Sequence, residues 1–363
     1  MLKSFAKKAL RPIWIRLAAR IDGIATARAM EAVRGLQIQI ERQRKIDALE
    51  STRGLQAQID QQQQKIDLLK VDLYFSRFPY EKTYRPTKVV SLRVPGTEIT
   101  LELAGPAGDQ SIIGAIAGSN GYYEPHVITA LRGLLPETAT CIDIGANLGA
   151  ISMQLSSLAY RGRVYAFEPA AVTFEYLLRN IRINQIDNVF LINLGLSDRN
   201  EELNLNYIDA LSGCSFVLGK QDVTRPYEMA SSVSERISCV TLDDWCASNN
   251  APPIDFIKLD AEGMEQAALR GAAKLIQRDR PDLVIEFNPH TNDDFGHGSS
   301  RELYDLLAKS WEHIFIIPRS QGELIEVSDF DSLMGYVAAG PGWEDVFCTT
   351  SARQGVRANA LVD

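Results

Sequence analysis

The sequence lacks any apolar run approaching the about 18 residues that a transmembrane helix needs. Its start also lacks the continuous apolar stretch of a signal peptide. Cysteine is scarce and odd in number: Cys141, Cys214, Cys239, Cys246 and Cys348, with no two in C-x-x-C spacing. That count argues against a disulfide framework, so a reducing cytoplasm is the expected compartment. Positive charge is in deficit, with 38 basic against 46 acidic residues, which argues against nucleic acid as a main partner.

What is present suffices for one large domain with extensions, since 45% of 363 residues are hydrophobic. The organising stretch is residues 139–150, ATCIDIGANLGA. It reads as a buried parallel strand, a tight glycine turn and a helix start. Gly145 and Gly149 let backbone approach a ligand, and free N–H groups at the helix start would face it. Asp143 stands at the strand's end, placed to accept hydrogen bonds. A dinucleotide fingerprint would need another glycine where Asn147 stands, and the Gly-Lys-Ser/Thr ending of a P-loop is missing. An acid before the first glycine suits S-adenosylmethionine, whose methionine part carries an amino group.

Four more strands follow, each with polar residues at its end. Arg163–Phe167 ends in Glu168, about 20 residues on, where a carboxylate can grip both ribose hydroxyls or cap the next helix. Val189–Leu196 leads to Ser197 and Asp198, where an adenine amino group would lie. Ile254–Leu259, with Lys258 inside it, runs into Asp260, Glu262 and Glu265. Asp282–Phe287 carries Glu286 and leads to Asn288 and His290. In open parallel sheets ligands bind beyond the carboxyl ends of the strands.

The set DIGANLG, AFEP, NLGLSD, TLDDW, FIKLDAEGMEQAALRGA and RPDLVIEFN resembles the FkbM family of S-adenosylmethionine-dependent methyltransferases, over roughly residues 120–350. The resemblance implies an α/β, Rossmann-like class I methyltransferase sheet of about seven mostly parallel strands. It implies O-methylation of a hydroxyl on a sugar, glycolipid or polysaccharide-type acceptor. It implies cofactor contacts for Asp143, Gly145, Asn147, Glu168 and Asp198, to which Gly149 and Ser197 are added. It also makes residues 118–126 a cap on the active site, with Tyr122, Glu124 and His126 as substrate-side candidates.

A hydroxyl is a weak nucleophile, so a base must accept its proton. The candidates crowd the fourth and fifth strand ends: Asp260, His290, Glu262, Lys258 and Glu286, with Asp260 or His290 favoured as the base. Glu262 and Glu265, three apart, would share a helix face. Asp260, Glu262 and Glu286 can alternatively hold a hard divalent metal, though nothing requires one.

The N-terminus is of another kind. Residues 1–30 carry seven basic residues against Asp22 alone, leaving −14 on the rest of the chain. With Leu2, Phe5, Ala9, Ile13, Leu17, Ile21 and Ile24 at helical spacing, this segment suits an anionic membrane surface, placing the protein at the inner face of the membrane. Residues 31–78 predict a coiled coil: Leu55, Ile59, Gln62, Ile66, Leu69 and Leu73 alternate four and three apart. Too few apolar positions exist for that helix to stand alone, so self-association, as a dimer, is expected. Residues 79–138 read as linker and a small β-rich cap, 139–353 as the catalytic domain and 354–363 as a tail. Residues 209–234 read as a substrate-selecting insertion, and Asp243 and Asp244 as helix caps. Two other classes share parts of this pattern: a nicotinamide-dependent oxidoreductase, and a non-catalytic coiled-coil scaffold.

Overall fold

A computed structural model describes residues 86–208, 210–217, 232–294, 298–320 and 323–350. All lie in the second of two compact units, Phe75–Asp363. The expected basic segment, coiled coil and tail fall outside the described residues, as do residues 209 and 218–231 of the insertion.

The described chain begins with a hairpin, β1 (Thr87–Arg93) and β2 (Thr100–Pro106), paired antiparallel around a Pro95–Gly96 turn. Gly96 takes φ 67, which its lack of a Cβ permits. A π-helical turn, Gln110–Gly114, and helix Pro125–Leu134 follow. Then come β3 (Thr140–Ile144), β4 (Arg163–Phe167) and β5 (Val189–Ile192), and the short β6 (Gly195–Leu196). Next are β7 (Glu201–Ile208), β8 (Phe216–Val217) and β9 (Ser232–Val240). The chain closes with β10 (Phe256–Leu259), β11 (Asp282–Phe287), β12 (His313–Ile316), β13 (Ile325–Glu326) and β14 (Glu344–Thr349).

The main sheet runs β13-β12-β14-β11-β10-β3-β4-β5. From β5 to β11 the pairs are parallel, whereas β14 is antiparallel to both β11 and β12. This is the doubly wound α/β sheet expected, with β13 as an eighth strand on the edge. β3 and β10 are buried along their whole length, as strands covered by helices on both faces must be. On one face Trp245 packs edge-on against Tyr165 and Phe167, with centroids 5.2 and 4.9 Å away.

The hairpin is tied to helix Ala171–Ile183 by one buried amide. Asn180 donates to the carbonyls of Ala104 and Leu148 and accepts from the Ala104 N–H. A second sheet, β6-β9-β7-β8, has its own small core of Leu205, Tyr207, Val217, Ile237 and Cys239. Its β6 is the end of the stretch Val189–Leu196, expected as a single strand of the main sheet. Thr241 caps helix Leu242–Ser248, while Asp243 caps the start of a different helix by accepting from Lys274 and Leu275 N–H.

Candidate active site

A cavity of about 910 Å³ opens beyond the carboxyl ends of β3, β4 and β10, in the range of small-molecule sites. Its floor is the strand ends, and its roof is the π-helical turn and residues 211–217.

On the β3–β4 side, Asp143, Gly145, Asn147 and Glu168 line the cavity. Gly145 has φ 82, and a Cβ there would lie 1.8 Å from the Asp260 carbonyl oxygen, so two strand ends meet where only hydrogen fits. Gly149 also has positive φ, but its missing Cβ makes room for Leu177 rather than for a ligand. Asp143 accepts the Ser152 hydroxyl at 2.5 Å, and burial raises its carboxyl to about 6. Asn147 donates to the Ser212 carbonyl, while its buried Oδ1 has no partner among the described residues.

Glu168 already serves its own chain. Oε1 accepts from Ala170 N–H and the Thr173 hydroxyl, and Oε2 from Asn147 N–H. With about four acceptor positions on a carboxylate, one remains, on Oε2. Much of the capacity for the expected grip on two ribose hydroxyls is therefore already used within the chain. Burial raises this carboxyl to about 7. Ser197 and Asp198 stand away from the cavity. The Ser197 hydroxyl donates to Glu201, and Asp198 pairs with Arg199 at 3.1 Å. Leu194, Gly195 and Leu196 line the wall in their place.

The other side holds the charged groups. Tyr122, Glu124, His126, Lys258, Asp260, Glu262, Glu286 and His290 all line the cavity, so the sequence-selected catalytic and substrate-side residues converge. Cross-strand register explains why. Lys258 sits opposite Asp143 on one side and Val284 on the other, and Glu286 opposite Asp345. These side chains therefore share one face of the sheet. Lys258 is buried, with Nζ 3.6 Å from both Glu124 and Asp260 and 4.0 Å from Asp345. Burial alone would pull its ammonium down, but the surrounding acids outweigh that and hold it above the usual range. Burial pushes the carboxyls of Asp260, Glu262 and Glu286 up. Glu262 lies in a left-handed turn before helix Glu265–Arg270, so it shares no helix face with Glu265. Glu265 instead folds back to accept Ala261 and Gly263 N–H. Among the described residues no three acid, histidine or cysteine side chains are grouped as for a metal ion.

Three residues at this end went unread in the sequence. Asp345 accepts from His126 Nε2 at 2.8 Å. Burial works to raise Asp345, yet His126, Lys258 and Arg319 hold it below the usual carboxylate range. Arg319 stacks on Trp343 at 3.7 Å, and both line the cavity.

The acceptors at the β3–β4 end fit the amino and hydroxyl groups of a nucleoside with an amino-acid tail. Asp143, the orphaned Asn147 Oδ1 and Glu168 Oε2 offer acceptors beside the apolar Ile144, Phe167 and Leu196.

Residues 143–322 match the family model of the methyltransferase FkbM domain. The chain is 28% identical over 159 residues to methyltransferase sdnD of Sordaria araneosa, covering 38% of this chain and 61% of that protein. It is 24% identical to methyltransferase 1 of Beauveria bassiana, over 38% of this chain and 59% of the relative. It is 26% identical to the AMB antimetabolite synthetase AmbE of Pseudomonas aeruginosa, over 54% of this chain and 10% of that one. The chain thus spans a tenth to about three fifths of these relatives' lengths. The solved methyltransferase FkbM of Methylobacillus flagellatus aligns over 61% of this chain and 47% of its own, at 18% identity and a TM-score of 0.36.

Proposed function

We propose, from the premise that residues 143–322 form an FkbM methyltransferase domain, that the chain moves a methyl group from S-adenosylmethionine to a hydroxyl of a sugar, glycolipid or polysaccharide-type acceptor. The observation that carries this reading is the single cavity with two unlike ends, nucleoside-fitting acceptors at β3–β4 and a buried cluster of ionisable groups at β10–β11.

When bound, S-adenosylmethionine supplies a methyl carbon made electrophilic by its sulfonium. The chain's own part is alignment and exclusion of water. Asp143, Asn147 and Glu168 offer acceptors to amino and hydroxyl groups, and residues 211–217 cover part of the cavity. At the other end a cavity carboxylate or imidazole takes the acceptor's proton. Lys258, matched by Glu124, Asp260 and Asp345, keeps those carboxylates in place.

A nicotinamide cofactor is disfavoured by Asn147. Its side chain occupies the turn where pyrophosphate needs bare backbone, and it is bonded to the Ser212 carbonyl. Attachment to an anionic membrane through residues 1–30 and pairing through residues 31–78 belong to the same reading.

Calorimetry of the full chain with S-adenosylmethionine and with NAD tests the cofactor. The first is expected to bind and the second to give no heat. Transfer of labelled methyl to a panel of glycosides, glycolipids and polysaccharides then tests the acceptor class. Absence of S-adenosylmethionine binding at millimolar concentration would overturn the proposal.

A further inference from the structure

Glu124 has features that balancing the charge of Lys258 does not by itself explain. Its backbone is left-handed, at φ 44 and ψ 51, a region costly for a residue with a Cβ. It holds the N-cap position of helix Pro125–Leu134, yet its side chain makes no capping bond. Glutamate is not among the usual capping residues, so capping does not account for its presence there. Instead the carboxyl turns into the cavity, where its buried Oε2 has no hydrogen-bond partner among the described residues. The nearest cation is Lys258, at 3.6 Å.

Taking the methyl-transfer reading as its basis, we infer that Glu124 is the catalytic base, held in the cavity by its strained backbone and by Lys258. Asp260 shares Lys258, but it sits on a regular strand tip whose backbone N–H bonds the Ile144 carbonyl. His290 is exposed at the rim. Glu262 shares the left-handed backbone but has no ion pair among the described residues.

Proton occupancy supports the assignment and gives it a trigger. Burial raises the Glu124 carboxyl to about 8; Lys258 opposes this, and Asp345, Asp260 and Asp143 add to it. The groups facing it are thus Lys258 on β10 and Asp260 just after it, Asp143 on β3, Asp345 on β14, and Tyr123 beside it. Burial thus works toward the protonated form, in which it is no base, while Lys258 works toward the carboxylate. A cation entering the cavity favours the carboxylate, and the sulfonium is such a cation. Loading the cofactor therefore frees the base. In the step itself the acceptor's O–H proton passes to Glu124. The O–CH₃ bond forms as the S–CH₃ bond breaks, and that electron pair stays on sulfur. The proton leaves to solvent after product release.

Calorimetry in buffers of differing ionisation heat counts protons released on binding. At pH 7, S-adenosylmethionine is expected to release more proton than S-adenosylhomocysteine, which lacks the sulfonium charge. That excess is expected to vanish in Glu124→Gln and to persist in Glu262→Gln. An excess that survives Glu124→Gln, or disappears in Glu262→Gln, overturns the assignment. Should Glu124→Gln fail to bind S-adenosylhomocysteine, the infrared difference between the two wild-type complexes decides. It must show loss of a protonated carboxyl band, and its absence refutes Glu124. Equal proton counts for two ligands that both bind sink Glu124 alone, whereas binding of neither sinks the methyl-transfer reading and this inference together.

Discussion

The Asp109 carboxylate reaches Ser212 across 103 residues of sequence, accepting its backbone N–H at 3.0 Å and its hydroxyl at 3.1 Å. The same buried group accepts Ile112 and Ile113 N–H and the Ser111 hydroxyl. One side chain thus fastens both halves of the cavity roof, and the Ser212 carbonyl passes the link to Asn147 at the cofactor turn.

Removing that fastener strands several buried donors at once. Each donor left unpaired costs about 1–3 kcal/mol, so Asp109→Ala is expected to lose at least about 3 kcal/mol in urea denaturation. Asp109→Asn, which keeps one acceptor oxygen, should lose less. Affinity for S-adenosylhomocysteine should fall about tenfold or more in Asp109→Ala, by the same per-bond magnitude. Unchanged denaturation midpoint and affinity would show that the roof holds without it.

Gly145 makes a sharper case. Alanine would need a left-handed backbone and would place its Cβ within 1.8 Å of the Asp260 carbonyl oxygen, which cannot swing aside. Gly145→Ala is expected to cost more than about 4 kcal/mol or to prevent folding, visible as insoluble expression. Gly118→Ala, where a Cβ meets nothing within 4 Å, is the control and should express normally.

These contacts also mark where reading the sequence stops. Apolar strands ending in acids fixed the main sheet, because burial on both faces and ligand contact at one edge write a local pattern. Asp260, Glu286 and His290 were legible for that reason, and Glu124 only through the resemblance that makes residues 118–126 a cap. Asp345 and Trp343 were not. β14 runs antiparallel, so its beginning, not its end, meets the active edge, and nothing local in Glu344–Thr349 reveals its direction. Arg319 was within reach, since it closely follows β12, whose end points to that edge. Ser197 and Asp198 misled because the chain leaves the main sheet after Ile192 and enters the second one. Asp109 showed nothing of its longer reach: its bonds to Ser111, Ile112 and Ile113 are a local cap, and Ser212 lies 103 residues away.

Stability should fall as pH rises through neutrality. The buried carboxyls of Asp143, Glu168 and Glu265 are raised by burial to about 6, 7 and 7, against about 4 in the unfolded chain. The folded state therefore holds more protons, and the stability linked to them is full below about pH 4 and is lost as pH rises through 6 to 7. Thermal melts at pH 5.5 are expected to exceed those at pH 8.5. In Glu265→Gln, whose amide oxygen can still accept Ala261 and Gly263 N–H, the slope should be shallower. A melt that rises with pH across this window would contradict these burial shifts.

Cys214 offers a probe of the roof. It is the exposed one of five free cysteines, and it lines the cavity. Burial, with Glu262, Glu286 and Asp260 nearby, pushes its thiol up to about 12. At pH 8 its thiolate fraction is then well below that of an ordinary thiol, and alkylation slows accordingly. Iodoacetamide followed by peptide mass spectrometry is expected to label Cys214 first and slowly, and S-adenosylhomocysteine should slow it further by filling the space beneath. Cys141 and Cys348, fully buried in β3 and β14, should react only after unfolding. Fast labelling of Cys214 would place its thiol in open solvent, and early labelling of Cys141 would mean that the central strand opens under native conditions.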